Sequence, residues 1–153
     1  MIHAFDDIDR ILAEHADFAD ASAGVSEATI RAAEAYLEVR FSVSYSEFLR
    51  KWGTLSFGPI EYYGLIDSEF VHSGIPDAAW YTQKLRQDVA LPKHLVILVD
   101  NDGDEYYCLD TSTFDSRGEC PVVVWDCPSA AVSRIKGDNF AEFLLQNIKD
   151  FIA

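Results

Sequence analysis

Between Leu95 and Trp125 the chain carries three short apolar runs, LVILV, EYYCL and PVVVW, separated by turn-forming residues. Runs of this length, each bounded by Asp, Asn, Gly or Pro, form neighbouring strands of a sheet. Leu95 to Val99 is apolar throughout, as for a strand covered on both faces. Asn101, Asp102 and Gly103 tolerate the positive φ of a tight hairpin, so the chain reverses there and returns through Glu105 to Leu109. A longer loop, Thr111 to Glu119, leads to a third strand at Pro121 to Trp125, and Ala130 to Ile135 adds a marginal fourth.

The turns beside these strands hold the densest acid in the sequence. From Asp100 to Asp126 the acids Asp100, Asp102, Asp104, Glu105, Asp110, Asp115, Glu119 and Asp126 face one base, Arg117, a net of −7. Half of the formal charge of −14 thus falls in 27 of 153 residues, which predicts an acidic edge on a rigid sheet. A field of that sign repels phosphate backbones and anionic lipid surfaces and attracts basic proteins. Direct nucleic-acid binding and membrane binding are therefore disfavoured.

Helical patterns flank the strands. Phe5, Ile8, Ile11 and Leu12 recur at helical spacing, with Asp6 and Asp7 where the helix dipole favours acid. The stretch Ala16 to Gly24 breaks that pattern. Ser26 then caps a second helix, with Val25 and Ile30 at the positions of a hydrophobic staple. Ser44 and Glu47 have the spacing of a capping box for a short helix from Tyr45 to Trp52, stapled by Val43 and Phe48 and stopped by Gly53. TLSFGPIEYYGLI suits a strand or bent hairpin; Asp67 to Pro76 is a loop; Asp77 caps a helix through AAWYTQKLRQ. Asp138 caps a last helix whose apolar stripe is Phe140, Phe143, Leu144, Ile148 and Phe151. The order predicts an α+β fold: a mostly antiparallel sheet with helices packed on one face, N-terminal helices and a C-terminal closing helix. At 153 residues and 49% hydrophobic, residues 1–153 are expected to form a single domain.

Recognisable catalytic patterns do not emerge. A calcium loop starting at Asp100 needs glycine at its sixth position and glutamate at its twelfth, where Glu105 and Thr111 stand. His3, His15, His72 and His94 lack metal-ligand spacing, and no G-x-S-x-G or phosphate-loop motif occurs. The acids sit at turns, where solvent leaves them poor general acids and bases. No catalytic residue, metal or cofactor is expected. Cys108, Cys120 and Cys127, without a CxxC pair, read as reduced thiols with one or two buried. The acidic N-terminus, without a continuous apolar run, is unlike a signal peptide, which places the chain in the cytoplasm.

Taken in order, these segments resemble the SUKH superfamily, the Smi/Knr-like group of fungal cell-wall regulators and bacterial immunity proteins. The resemblance rests on SYSEFLRKWG (Ser44 to Gly53), ILVDNDGDEYYCLD (Ile97 to Asp110), ECPVVVWD (Glu119 to Asp126) and NFAEFLLQNI (Asn139 to Ile148), and covers the chain from about Ile30. The family's tyrosine, Phe-Leu and glycine map onto Tyr45, Phe48, Leu49 and Gly53, whereas Ser42-Val43-Ser44 stands in place of the family's Leu-Pro before the tyrosine. It implies an immunity protein that binds a toxin of its own cell or kin, often a nuclease or other nucleic-acid-modifying domain. A toxin built to hold phosphate presents a basic cleft that an acidic rim fits. The expected toxin-binding residues are Asp100, Asp102, Asp104, Glu105, Asp115 and Glu119, with Tyr106 or Tyr107 as an aromatic anchor. The alternatives are a regulatory or scaffolding interaction module and a small metal-dependent hydrolase using the same carboxylates.

Overall fold

The computed structural model describes residues 3–153. Helix α1 (His3–Glu14) turns Phe5, Ile8 and Ile11 inward, as their spacing predicts. Helix α2 (Glu27–Leu37) starts at Ser26, whose hydroxyl accepts from Thr29 N at 3.2 Å, and buries Ile30, Ala33 and Leu37. Helix α3 (Val43–Lys51) follows, then α4 (Ala78–Asp88), capped by Asp77, and α5 (Phe140–Ile152). The Asp67 to Pro76 loop contains one 3₁₀ turn, Phe70–His72.

The strands form two antiparallel sheets. Strands β1 (Ala19–Ala21), β2 (Leu55–Phe57) and β3 (Ile60–Tyr62) lie in that order in the smaller. The larger is a meander of β4 (Leu95–Asn101), β5 (Glu105–Asp110), β6 (Val122–Asp126) and β7 (Ala131–Gly137). Tyr63, just past β3, joins the sheets by donating its N–H to Leu98 O at 2.9 Å. A bulge between Ile97 and Val99 accommodates this junction, and there Ile97 N donates to the Thr82 hydroxyl of α4 at 3.0 Å.

Continuous apolar runs in β5 and β6 follow from burial of both their faces. Tyr106 pairs with Trp125 and Cys108 with Val123 on one face, Leu109 with Val122 on the other, and all six are buried. Helix α5 closes the latter face, where Phe143 meets Tyr107 edge-on at 5.9 Å. Beyond α5 lies α3, with Phe140 packed against Tyr45 at 5.1 Å and Phe48 at 4.9 Å. Removing Phe48, Leu49 and Phe140 from water contributes roughly 2–3 kcal/mol each. The α+β architecture and the closing helix are those the sequence predicts.

Four local expectations change. Ser44 does not cap α3: Ser42 does, its hydroxyl accepting from Tyr45 N at 3.3 Å, because the extended backbone falls at residue 42 (ψ 164°). Glu47 accordingly turns outward to Arg50 at 3.1 Å, and Val43 is 51% exposed, so neither capping box nor staple forms. Asn139, rather than Asp138, caps α5 through Glu142 N at 2.9 Å. The segment expected only to break the helix contributes β1, whose pairing with β2 depends on a partner 36 residues away. The marginal fourth strand is a full seven-residue β7.

Candidate protein-interaction surface

The β4–β5 hairpin turns at Asp102 and Gly103, with φ of 58° and 76°. Asp100 fixes the turn: Oδ1 accepts from Gly103 N at 2.7 Å, and Oδ2 accepts from the Tyr81 hydroxyl of α4 at 2.5 Å. Burial and this carboxylate together hold the Tyr81 phenol well above its ordinary pKa, so it remains a donor. Tyr63 is pushed up to about 12, first by burial and then by Asp100. On the other side of the tip, Asp104 O accepts from Cys127 N at 2.8 Å. Glu105, paired across the sheet with Asp126, forms an ion pair with Arg134 of β7 at 3.0 Å. The tip is thus a hydrogen-bonded display of acids, with Asp102 and Asp104 exposed to solvent.

A cleft of about 520 Å³ opens between this tip, the β2–β3 turn and α5. Pro59, Glu61, Asp100, Asp102, Tyr107 and Asn147 line it. Asn147 is held by the Tyr62 hydroxyl, which donates to its side-chain oxygen. Among the described residues, Glu61, Asp100 and Asp102 take part in no ion pair, and no Lys or Arg lines the cleft. The larger, shallower cavity of about 760 Å³ has mixed charge: Lys93 there pairs with Glu38 at 3.0 Å, and the Arg40 guanidinium lies 4.4 Å over the Phe114 ring.

The expected site residues separate into two groups. Asp100, Asp102, Asp104 and Glu105 gather at the tip, whereas Asp115 and Glu119 lie beyond the opposite end of β5, roughly 17 Å along the strand. Asp115 accepts from the N–H groups of Glu119 and Arg117 at 3.0 and 2.8 Å, and these bonds hold its carboxyl below the usual range. Glu119 is bound to Ser44 of α3. Tyr106 is 5% exposed and stacks on Trp125 at 6.0 Å, so it packs inside rather than meeting solvent; burial raises its phenol to about 12. Tyr107 is half-buried, with the Lys136 ammonium 5.2 Å from its ring centroid. Cys108 and Cys120 are buried, and burial pushes both thiols upward.

Sequence reasoning missed Glu61 and Asn147 as partners of the tip, since they come from another sheet and from the last helix. Glu61 carried one signal, its outward place in the alternation Ile60-Glu61-Tyr62. Among the described residues, no group of three or more His, Cys, Asp or Glu side chains is arranged to hold a metal, and no helix is long and apolar enough to cross a membrane.

Two antiparallel sheets closed by a C-terminal helix, with an acidic hairpin beside an open cleft, define an α+β domain. The chain belongs to the SUKH_5 family, described as SMI1-KNR4 cell-wall, which matches residues 6–149. Its fold is also similar to the crystal structure of a protein from Pseudomonas syringae pv. tomato, with a TM-score of 0.58 and 16% identity over 82% of this chain and 86% of that one.

Proposed function

We propose that this chain is an immunity protein, acting as one cytoplasmic domain over residues 1–153, which binds and neutralises a cognate bacterial toxin, a nuclease or another nucleic-acid-targeting protein. The observation that carries the reading is the acidic cleft, where Glu61, Asp100 and Asp102 stand without a base beside the exposed Asp102–Asp104 turn. A basic nucleic-acid-binding surface complements it, and charge of this kind speeds encounter. Family membership supports a protein-binding role, since the group includes toxin-immunity proteins. In this reading the protein acts by occupying the toxin's surface, and Asp100 positions the hairpin for that contact through its bonds from the Tyr81 hydroxyl and Gly103 N. The binding set is Asp100, Asp102, Asp104 and Glu105 together with Glu61, while Asp115 forms a separate acidic turn.

The test is to co-express the protein with the product of the adjacent reading frame. Growth is rescued if the reading holds. Absence of a toxin-like neighbour, or growth arrest despite a folded protein, removes it. Changing Asp102, Asp104 and Glu105 together to lysine slows association with that product at least about tenfold at low salt, and the difference shrinks as salt rises.

A further inference from the structure

Phe151, placed by its spacing on the buried stripe of α5, is 39% exposed, and Phe18, between α1 and β1, is 48% exposed. The two rings meet edge-on at 5.9 Å and both lean on buried Phe57, at 5.6 Å from Phe151 and 6.0 Å from Phe18. His15 stacks on Phe18 at 6.1 Å. The result is an aromatic shelf of two large rings open to solvent.

The shelf adjoins the acidic cleft at two points. Gly58 lines the cleft, and its Cα lies so close to Phe151 that an added Cβ would sit 2.4 Å from the ring; its N–H also donates to Phe18 O at 3.0 Å. Asn147, one helical turn before Phe151, lines the same cleft. Exposed acids also neighbour the rings in sequence: Asp17 and Asp20 on either side of Phe18, and Asp150 before Phe151. Exposed aromatics bordered by unpaired carboxylates have the composition of an interface centre with its polar rim.

We infer that shelf and cleft are one docking surface, and that its occupant is an arginine-bearing segment of a protein partner, the side-chain stem and guanidinium lying on Phe18 and Phe151 and the charge meeting the cleft carboxylates. Charge selects a basic occupant. The rings select arginine over lysine, because a planar guanidinium stacks on an aromatic face and still offers a fork of donors to a carboxylate, whereas an ammonium is a compact, strongly hydrated charge. This inference rests on the basic-partner reading above and adds where the contact is centred and which side chain makes it.

The experiment uses the whole chain, ¹⁵N-labelled, titrated at low salt with two capped peptides, Gly-Leu-Arg-Gly-Leu-Arg-Gly and its lysine counterpart. The expected result is amide shifts centred on Phe18, Gly58, Glu61, Asn147 and Phe151, with the arginine peptide binding about threefold more tightly. Phe18→Leu/Phe151→Leu, which keeps apolar bulk over Phe57 but removes the rings, erases that preference while the remaining amide spectrum is retained. Shifts confined to Asp102–Glu105 overturn the shelf and leave the acidic-face reading standing. Equal affinity for the two peptides, or an undiminished arginine preference in the double variant, also overturns it. No shift from either peptide overturns both.

Discussion

The Glu119 carboxylate accepts from both the backbone N–H of Ser44, at 3.1 Å, and its hydroxyl, at 2.7 Å, across 75 residues of sequence. The same hydroxyl accepts from Ala141 N at the start of α5, at 3.2 Å. One buried serine therefore ties the loop before β6 to the first turns of two helices, and the carboxylate lies at the N-terminus of α3, where its charge is favoured.

Glu119→Ala leaves the Ser44 N–H without that acceptor inside the protein, so it lowers unfolding free energy by about 1–3 kcal/mol. Glu119→Gln, which keeps one acceptor oxygen, loses less. Urea unfolding of the two variants measures the difference, and equal losses would refute the capping role.

Two glycines respond to alanine for different reasons. At Gly64 an added Cβ would stand 1.7 Å from the backbone oxygen of Gly53, which Leu65 N already engages at 2.9 Å. Backbone cannot move aside as a side chain does, so Gly64→Ala costs more than about 3 kcal/mol or prevents folding. At Gly103 the Cβ meets open space and only the positive φ is penalised, so the cost is about 1–2 kcal/mol. Thermal melts that rank the variants in the reverse order would contradict this.

Asp77 is fully buried, donors to Oδ1 come from Ala79 N and Trp80 N, and among the described residues Oδ2 has no hydrogen-bond partner within bonding distance. Burial raises its pKa, more than the favourable contributions of the Trp80 N–H, the Ser73 side chain and the Ala79 N–H lower it. A carboxyl whose folded pKa lies above its unfolded one binds protons more tightly when folded, so its ionisation costs stability. That cost is absent below the unfolded pKa and develops as pH rises through the folded one. Asp77→Asn keeps a capping oxygen without the charge, so its stability relative to wild type improves from pH 3 towards pH 7. A difference that is flat across that range, in parallel denaturant titrations, would show that the charge is not the cause.

Because Tyr106 packs against Trp125, Tyr106→Ala lowers stability by about 3 kcal/mol, and Tyr106→Phe by far less. Toxin rescue at a temperature where both variants are folded is unchanged. Loss of rescue by folded Tyr106→Phe would return this residue to the interface.

Sequence alone determined the elements whose cause is local. Period and caps set α1, α2, α4 and the body of α5; Asn101-Asp102-Gly103 set the hairpin; the apolar runs set β4 to β6 and hence the α+β class. Turn chemistry likewise exposed the acids of the tip. What only the tertiary structure decided is what depends on distant partners. Ser44 yields its cap to Ser42 and receives Glu119; β1 exists because β2 supplies its hydrogen bonds; Tyr106 rather than Tyr107 is the inward member of the pair because β6 places Trp125 opposite it. The cleft joins Glu61, Asp100 and Asn147 from three elements, and Phe151 rests outside the core beside Phe18. Local propensity acts over a turn or a strand, whereas facing, pairing and exposure are settled by which surfaces meet, and that information is spread over the whole chain.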